Sequence, residues 1–263
     1  MSAPALVSQR TAAAVLAAAG QCTEPQSRLL MHAHVCGPGW PLVETPDQDT
    51  LATILATSPG DLAATPPGST LARESRVWAL ADVVTLAQRP RLAIDDLAAA
   101  LPGDLAVVVR QIARRDLPPG PSDENPVNRP YYGVDAVVAR SDDDTAQRDA
   151  SRMLWRLSPT RRDRITASVT THGTVPLLVS CGGYLVTGWD IVGFDHDTTQ
   201  GLDTIAFALA PDAPTWRTNI ADRWFNSGPG QALALLNTST STHTGPTESP
   251  ATTAVHRSRT LTA

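Results

Sequence analysis

"SPTRRDRITASVTTHGTVPLLVSCGGYLV", residues 158–186, carries the strongest indications of fold in this sequence. Ser158 is a typical helix N-cap, and Pro159 suits the first helical position because a backbone N–H there would have no partner. Gly173 is typical of a helix C-terminus, where glycine adopts the left-handed conformation at low cost. The pattern predicts a helix from Pro159 to about His172, with a narrow apolar side that includes Ile165.

The residues after Gly173 change to the pattern of β-strands. "VPLLVSC" and "YLVTGWDIVGF" are rich in β-branched and aromatic residues, and they flank Gly182 and Gly183. Two glycines between such runs favour a tight turn, because both central residues take positive φ. The sequence therefore predicts a two-stranded hairpin directly after the helix.

Residues 142–157 predict an amphipathic helix in front of this unit. Its expected buried face repeats at helical spacing and consists of Ala146, Ala150, Met153, Leu154 and Leu157. Another face carries Arg148, Arg152 and Arg156, and Asp144 is placed to pair with Arg148 four residues on. The helix should end at Ser158, since a residue that precedes proline disfavours helical geometry.

This order of elements resembles the winged helix-turn-helix domains of bacterial, plasmid and phage regulators. In those domains a recognition helix ending in glycine is followed by an apolar strand, a serine, and glycine-tyrosine with an apolar residue. The matching positions are Ile165, Gly173, Pro176, Leu177, Ser180, Gly183, Tyr184 and Leu185. The match covers about thirty of the 263 residues, lacks the short helix with a Leu-Ala pair before the turn, and has proline at the helix start. It predicts a mostly helical α+β fold: a winged-helix-like unit with a small antiparallel sheet, plus an N-terminal helical region.

The resemblance implies DNA binding by the predicted recognition helix. The candidate contacts are Ser158, Thr160, Arg161, Arg162 and Arg164, with Arg148, Arg152 and Arg156 from the preceding helix. Guanidinium groups bond guanine edges or phosphates, and a helix N-terminus adds backbone donors. About four phosphate contacts would give a slope of about −3 to −4 for log affinity against log salt. The alternative is a solvated arginine face on two helices packed against a sheet.

The distribution of charge supports this location for an interface. Residues 146–165 hold six arginines and two aspartates, a net charge of +4. Residues 132–145 hold four acids and one arginine, net −3, and residues 166–235 hold six aspartates and two arginines, net −4. The whole chain is acidic, at −5, which argues against indiscriminate coating of nucleic acid.

Proline- and glycine-rich breaks suggest the domain organisation. We predict an N-terminal region over 1–68, a helix-turn-helix-like unit over 69–116, a linker over 117–131, a winged-helix-like domain over 132–236 and a disordered tail over 237–263. Within 69–116, residues 70–88 predict one helix and residues 92–116 two more around Pro102–Gly103. The last of these opens with Asp104, which phosphate would repel, so this unit suits packing or dimerisation. Residues 214–225 and 228–237 also read as helices.

Two clusters offer alternative chemistry. If residues 29–39 form a strand, His32 and His34 share a face and could chelate one metal, with Cys36 joining only if the chain bends. Asp190, Asp195, Asp197, Asp203 and His196 could hold Mg²⁺ in a nuclease, although their spacing matches no known ligand set. Two histidines in a half-buried strand or loop are the commoner explanation of the first cluster, and solvent-facing acids explain the second equally well.

Composition bounds the remaining possibilities. All 21 basic residues are arginine, as in proteins from GC-rich, actinobacterial-like genomes. Three scattered cysteines fit a reducing cytoplasm, no apolar run is long enough to cross a membrane, and the N-terminus lacks the charge pattern of a signal peptide. The sequence shows no cofactor motif. We therefore expect a cytoplasmic DNA-binding protein, a transcriptional regulator or mobile-element accessory factor, with a homodimer as a possible state. The alternatives are a non-enzymatic protein-interaction module and a metal-dependent hydrolase or nuclease.

Overall fold

The computed structural model describes residues 6–20, 22–36, 40–41, 76–199, 201–225 and 232–238. Within these ranges the helices are α1 (Gln9–Ala18), α2 (Glu24–His32), α3 (Leu80–Ala87), α4 (Ile94–Ala100), α5 (Ala136–Ala139), α6 (Thr145–Arg152), α7 (Pro159–His172) and α8 (Arg217–Ile220). The strands are β1 (Leu6–Ser8), β2 (Trp40–Pro41), β3 (Arg76–Ala79), β4 (Leu105–Arg110), β5 (Arg115–Asp116), β6 (Tyr131–Tyr132), β7 (Val175–Cys181), β8 (Tyr184–Phe194), β9 (Phe207–Leu209), β10 (Arg223–Trp224) and β11 (Leu233–Asn237).

A six-stranded mixed sheet forms the centre of the molecule. Its strand order is β10-β8-β7-β4-β11, and β9 pairs with the far end of β8. β4 and β7 are parallel, with Val107 opposite Leu177, whereas the other pairings in this sheet are antiparallel. All seven residues of β7 are buried, as expected for a central strand that is covered on both faces.

Alternate residues of the central strands enter two different apolar clusters. On one face, Val107 and Leu177 pack with Ile165 of α7 and with Leu16 and Leu30 of the N-terminal helices. On the other face, the neighbouring strand residues pack with α4 and α8; this second cluster includes Ala106, Val108, Leu178, Leu185, Leu97, Leu101, Trp216 and Ile220. The result is a three-layer arrangement in which the sheet lies between helices.

The N-terminal segment builds a smaller layer beside the main sheet. β1, β3 and β2 form a three-stranded antiparallel sheet, and α1 packs on both α2 and α3. α1 begins at Ser8, whose side chain accepts a hydrogen bond from the Thr11 N–H, and Gly20 lies just beyond its end at φ +69°. Because the N-terminal helices share one apolar cluster with the main sheet, the two layers are packed as a single core.

The local predictions for residues 158–186 are confirmed. α7 spans Pro159–His172, the Ser158 side chain caps it by accepting from the Arg161 N–H, and Gly173 follows at φ +83°. β7 and β8 form the predicted hairpin, and Gly182 and Gly183 both have positive φ.

The predicted winged-helix-like unit with a small antiparallel sheet is wrong. The first hairpin strand, β7, is an internal strand of the six-stranded sheet and pairs in parallel with β4. The glycine turn does not project as a wing, since it lies against α2: a Cβ added to Gly182 would meet the Gln26 carbonyl oxygen at 2.7 Å and Leu30 Cγ at 3.0 Å. "VPLLVSC" is a continuous apolar run, typical of a strand buried on both faces, and not the alternating pattern of a half-exposed wing.

Two of the predicted helices are strands. Residues 105–110 form β4 and not the second helix of a helix-turn-helix, and Leu233–Asn237 form β11 at the sheet edge. The three consecutive valines of β4, Val107 to Val109, favour a strand because β-branched side chains lose freedom in a helix. Residues 76–88 divide between β3 and α3, and residues 70–75 lie outside the described ranges.

The predicted helix over 142–157 is shorter in the structure. α6 begins at Thr145 and ends at Arg152, because Met153 is extended and Leu154 has φ +65°. Its buried residues are Gln147, Ala150 and Ser151, of which only Ala150 belonged to the expected apolar face. The Gln147 side chain accepts from the Asp135 N–H at 2.8 Å and donates to the Gly133 carbonyl at 3.0 Å. Hydrogen bonds of a buried side-chain amide therefore hold this helix in place, although an apolar face was expected to do so.

Residues 117–131, predicted as a linker, connect β5 to β6, which pair with each other. Fully buried Asn125 organises the loop: its amide donates to the carbonyls of Pro118 and Arg129, and its oxygen accepts from the Arg129 N–H. Of the predicted disordered tail, Asn237 and Thr238 are in the described ranges, and residues 239–263 lie outside them. Among the described helices none has the length and apolar character needed to cross a bilayer.

Candidate functional site

The eight predicted DNA contacts lie on α6, on α7 and in the segment between the two helices, and the structure separates their six arginines into two groups. Arg148 and Arg152 of α6 are used inside the protein. The Arg148 guanidinium donates to the backbone carbonyls of Leu209, Ala210 and Pro211, beside the end of β9. Arg152 bridges Asp149 at 2.8 Å and Asp195 at 2.9 Å. Their donors hold α6 against the β8–β9 end of the sheet, so these two guanidinium groups are already engaged within the protein.

The other arginines lie within nine residues of each other around the start of α7. Arg156 and Arg164 are exposed, and Arg161 and Arg162 are half-buried. Arg162 Nε donates to the Leu157 carbonyl at 3.2 Å, and Arg164 donates to the Asn237 side chain at 2.7 Å. In the described part of the chain, none of the four lies within ion-pairing distance of a carboxylate. We call Arg156, Arg161, Arg162 and Arg164 the arginine surface.

The start of α7 orients this surface. Ser158 and Thr160 are exposed, but the Ser158 hydroxyl is occupied as the N-cap. Buried Ile165 fixes the helix on the sheet, and Ser168 donates to Asp104 at 2.7 Å, which holds the pKa of Asp104 below its usual range. The positive end of the helix dipole therefore lies in a stretch of nine residues that contains all four arginines.

Two of the four aspartates considered as a magnesium site, Asp190 and Asp195, serve separate structural roles. Asp190 accepts from the Trp216 indole N–H at 2.9 Å, and burial raises the pKa of Asp190. Asp195 accepts from the hydroxyl of Thr198 at 2.5 Å and from its N–H at 3.1 Å, and these bonds, helped by Arg152, lower the pKa of Asp195 to about 2. Asp197 and Asp203 are exposed.

The histidine cluster is not a strand. His32 is the last residue of α2, and its ring bonds the Gln9 amide at 2.8 Å. His34 follows in the left-handed region at φ +57°. Cys36 is buried beside Met31, with 3.7 Å between the sulfur atoms, and burial raises the pKa of Cys36 to about 12. Among the described residues no three histidine, cysteine or acidic side chains are grouped as metal ligands.

A cleft beyond the end of β4 was missed by the sequence reasoning. Its volume is about 570 Å³, and its polar lining includes His34, Arg114, Asp116 and Asp135. His34 Nδ1 lies 3.4 Å from Asp135 Oδ1, and Arg114 Nη1 lies 3.2 Å from Asp135 Oδ2. Burial opposes ionisation of Asp135, but its bonds to His34, the Val137 N–H and Arg114 leave its pKa below the usual value. We call this the His34 cleft.

The sequence contained one sign of this cleft. Polar residues that follow a buried parallel strand gather at its carboxyl edge, where α/β proteins bind ligands. Arg114 lies four residues after β4 ends, but residues 105–110 were expected to be helical, so the edge was not recognised. Asp135 is 101 positions from His34, and only the tertiary structure brings the two together.

Comparisons with known proteins identify no relative of this chain. No family model matches it, and neither the curated proteins nor the solved structures contain a significant match.

Proposed function

We propose that the protein binds DNA through the arginine surface, by contacts to the phosphate backbone. The observation that carries the proposal is the contrast between two sets of arginines. Arg114, Arg140, Arg152 and Arg217 all form ion pairs with aspartates, whereas the four residues of the arginine surface pair with no carboxylate of the described residues. A cluster of positive charge that the described residues leave uncompensated is suited to a polyanionic partner.

The proposal does not include a wing or contacts from Arg148 and Arg152. Four guanidinium groups at a helix N-terminus provide charge-assisted bonds to phosphate oxygens, and such contacts position a protein on DNA without specifying a base sequence. Each neutralised phosphate releases condensed counterions, so binding should weaken steeply as salt is added. The overall charge of −5 should confine contact to this surface.

The test is fluorescence anisotropy of a labelled duplex over a range of salt concentrations. We expect a slope of log affinity against log salt of about −3 to −4 for the unchanged protein. Combining Arg161→Ala with Arg164→Ala should reduce the steepness of that slope by about two, since each lost phosphate contact removes about 0.9. Circular dichroism should show that the variant keeps its fold, because Arg164 is exposed, Arg161 is only half-buried, and neither forms an ion pair with a described carboxylate.

The matched control combines Arg28→Ala with Arg89→Ala, which removes the same charge from exposed positions on α2 and just after α3. This control should keep the original slope. If the control loses as much affinity as the first variant, the effect is one of net charge alone and the arginine surface is not the site. Absence of binding even at low salt would also overturn the proposal.

A further inference from the structure

The His34 cleft is a pocket with a polar end, and none of the four arginines of the arginine surface lines it. Asp135 is 4% exposed and satisfies the first turn of α5 by accepting from the N–H groups of Val137 and Val138. Its remaining bonds hold His34 and Arg114 at the opening. Around these groups lie apolar side chains, among them Leu29, Met31, Trp78 and Ile112.

We propose that the His34 cleft binds a small organic monocarboxylate with an apolar body. Arg114 would hold the carboxylate, His34 would offer a further polar contact, and the apolar lining, which includes Trp78, would cover the body of the ligand. The proposal is independent of DNA binding, because it uses none of the residues of the arginine surface.

Arg114 is fixed on a rigid segment and keeps unused hydrogen-bonding capacity. The backbone N–H of Arg114 donates to the Val134 carbonyl at 2.8 Å. The two chain segments lie so close together that a Cβ on Gly133 would lie 2.6 Å from the Ala113 carbonyl oxygen. Its guanidinium lies over the Tyr131 ring at 4.4 Å. Nε donates to Asp116 at 2.8 Å, whereas no bond of Nη2 to a described residue is present.

A ligand carboxylate can take the place of Asp116. The Asp116 side chain is 75% exposed, so exchanging it for another carboxylate costs little desolvation. Nε and Nη2 together form the guanidinium edge that binds a carboxylate in bidentate fashion. A monoanion is favoured over a phosphate dianion, because Asp135 stays beside the same guanidinium and would repel the second charge.

Two features of the cleft are costly for the protein alone. The Trp78 side chain is 1% exposed, and its indole N–H has no hydrogen-bond partner among the described residues. Leaving a buried donor unpaired is unfavourable, but the indole nitrogen is closed to solvent, so Trp78 serves the cleft as part of its apolar wall. His34 has φ +57°, a conformation that non-glycine residues adopt rarely and that concentrates at ligand sites. With Nδ1 facing Asp135, Nε2 is the ring nitrogen left for a ligand.

The probe is phenylacetate, with 2-phenylethanol as its neutral analogue, phenyl phosphate as the dianion and acetate as the anion without an apolar body. Isothermal titration should show saturable binding of phenylacetate with a Kd of about 1 mM or tighter, and weaker binding of the other three. Arg114→Gln should weaken phenylacetate binding about tenfold, the loss typical of a charge-assisted bidentate contact. Arg115→Gln is the matched control and should bind within about twofold of the unchanged protein, because Arg115 points to Tyr132 and does not line the cleft.

A second measurement uses the unchanged protein and does not depend on the stability of a variant. In proton–carbon spectra of the histidine rings, phenylacetate should move the His34 signal and leave that of His172, which lies beside Asp104, in place. The proposal is overturned if phenylacetate does not saturate, if 2-phenylethanol binds equally well, if the two glutamine variants behave alike, or if the His34 signal does not move. Stronger binding of phenyl phosphate would overturn the assignment to a monocarboxylate.

Discussion

At the scale of single residues, buried or half-buried carboxylates hold the connections of this protein in place. Asp195 is the clearest case, since it directly follows β8, accepts two bonds from Thr198 and pairs with Arg152 of α6. The bonds from Thr198 are the first cause of its lowered pKa, with Arg152 adding to the effect. One side chain thus connects the turn after β8 to a helix.

We predict that Thr198→Val raises the pKa of Asp195 from about 2 toward its ordinary value of 3.8. The hydroxyl that stabilises the charged form is lost, while the backbone N–H and Arg152 remain. Because the folded pKa lies below the unfolded value, the stabilisation is fully present above pH 4 and is lost as the pH falls toward 2. The pKa is measured by carbon NMR of the aspartate carboxyl groups, and the stability by urea unfolding at several pH values.

Thr166→Val is the control, since Thr166 is an exposed threonine of α7 far along the chain from Asp195. It should leave the Asp195 titration unchanged. An unaltered titration in Thr198→Val would show that the backbone N–H of residue 198 and Arg152 set the pKa without the hydroxyl.

At the scale of elements, the position of α7, β7 and the glycine turn in the fold is determined by the elements that pack around them. β7 lies between β4 and β8, and the turn lies under α2. A wing would leave the same turn exposed, so its packing against α2 is the feature that separates the two architectures.

A comparison of two alanine substitutions, at Gly182 in the turn and at Gly173 after α7, tests that packing. Gly173→Ala should cost about 1–2 kcal/mol in the free energy of unfolding, because φ is +83° but no atom of the described residues lies within 4 Å of the new Cβ. Gly182→Ala should cost more, about 3–5 kcal/mol, because a left-handed backbone is combined with a contact of 2.7 Å to the Gln26 carbonyl. Urea unfolding of both variants gives the comparison. Equal costs would mean that α2 does not cover the turn.

At the scale of the whole molecule, one apolar cluster joins the N-terminal helices to the main sheet. Leu16, Leu30 and Met31 belong to the same cluster as Val107 and Leu177. The backbone also connects the parts, since the Ala136 N–H donates to the Ala33 carbonyl at 2.8 Å. We therefore expect the N-terminal layer and the sheet to unfold together.

The three cysteines provide the test of cooperative unfolding. Burial raises the pKa of Cys36 in the N-terminal layer and of Cys181 in β7 to about 12, so both thiols should resist alkylation in the native protein. Half-buried Cys22 should react first. With increasing urea, Cys36 and Cys181 should become reactive at the same midpoint, as measured by mass spectrometry of alkylated peptides. If Cys36 reacts at clearly lower urea, the N-terminal layer opens by itself.

The sequence by itself determined the local structure of residues 158–186. Ser158 and Pro159 start α7, Gly173 ends it, and Gly182 with Gly183 turns the chain, because each effect depends on dihedral preferences and on neighbours a few positions away. The same reasoning fails for residues 105–110, since a short apolar run after Pro102 and Gly103 is compatible with a helix or with a buried strand.

Only the tertiary structure decided what these elements do. The parallel partner of β7 lies about seventy positions earlier in the chain, and no local preference specifies that pairing. The same holds for the sites: Arg152 and Arg164 look alike in the sequence, but Asp195 compensates one and no described carboxylate compensates the other. Burial and charge compensation arise from residues that are distant in sequence, which is why the sequence could propose arginines as contacts but could not say which of them remain available.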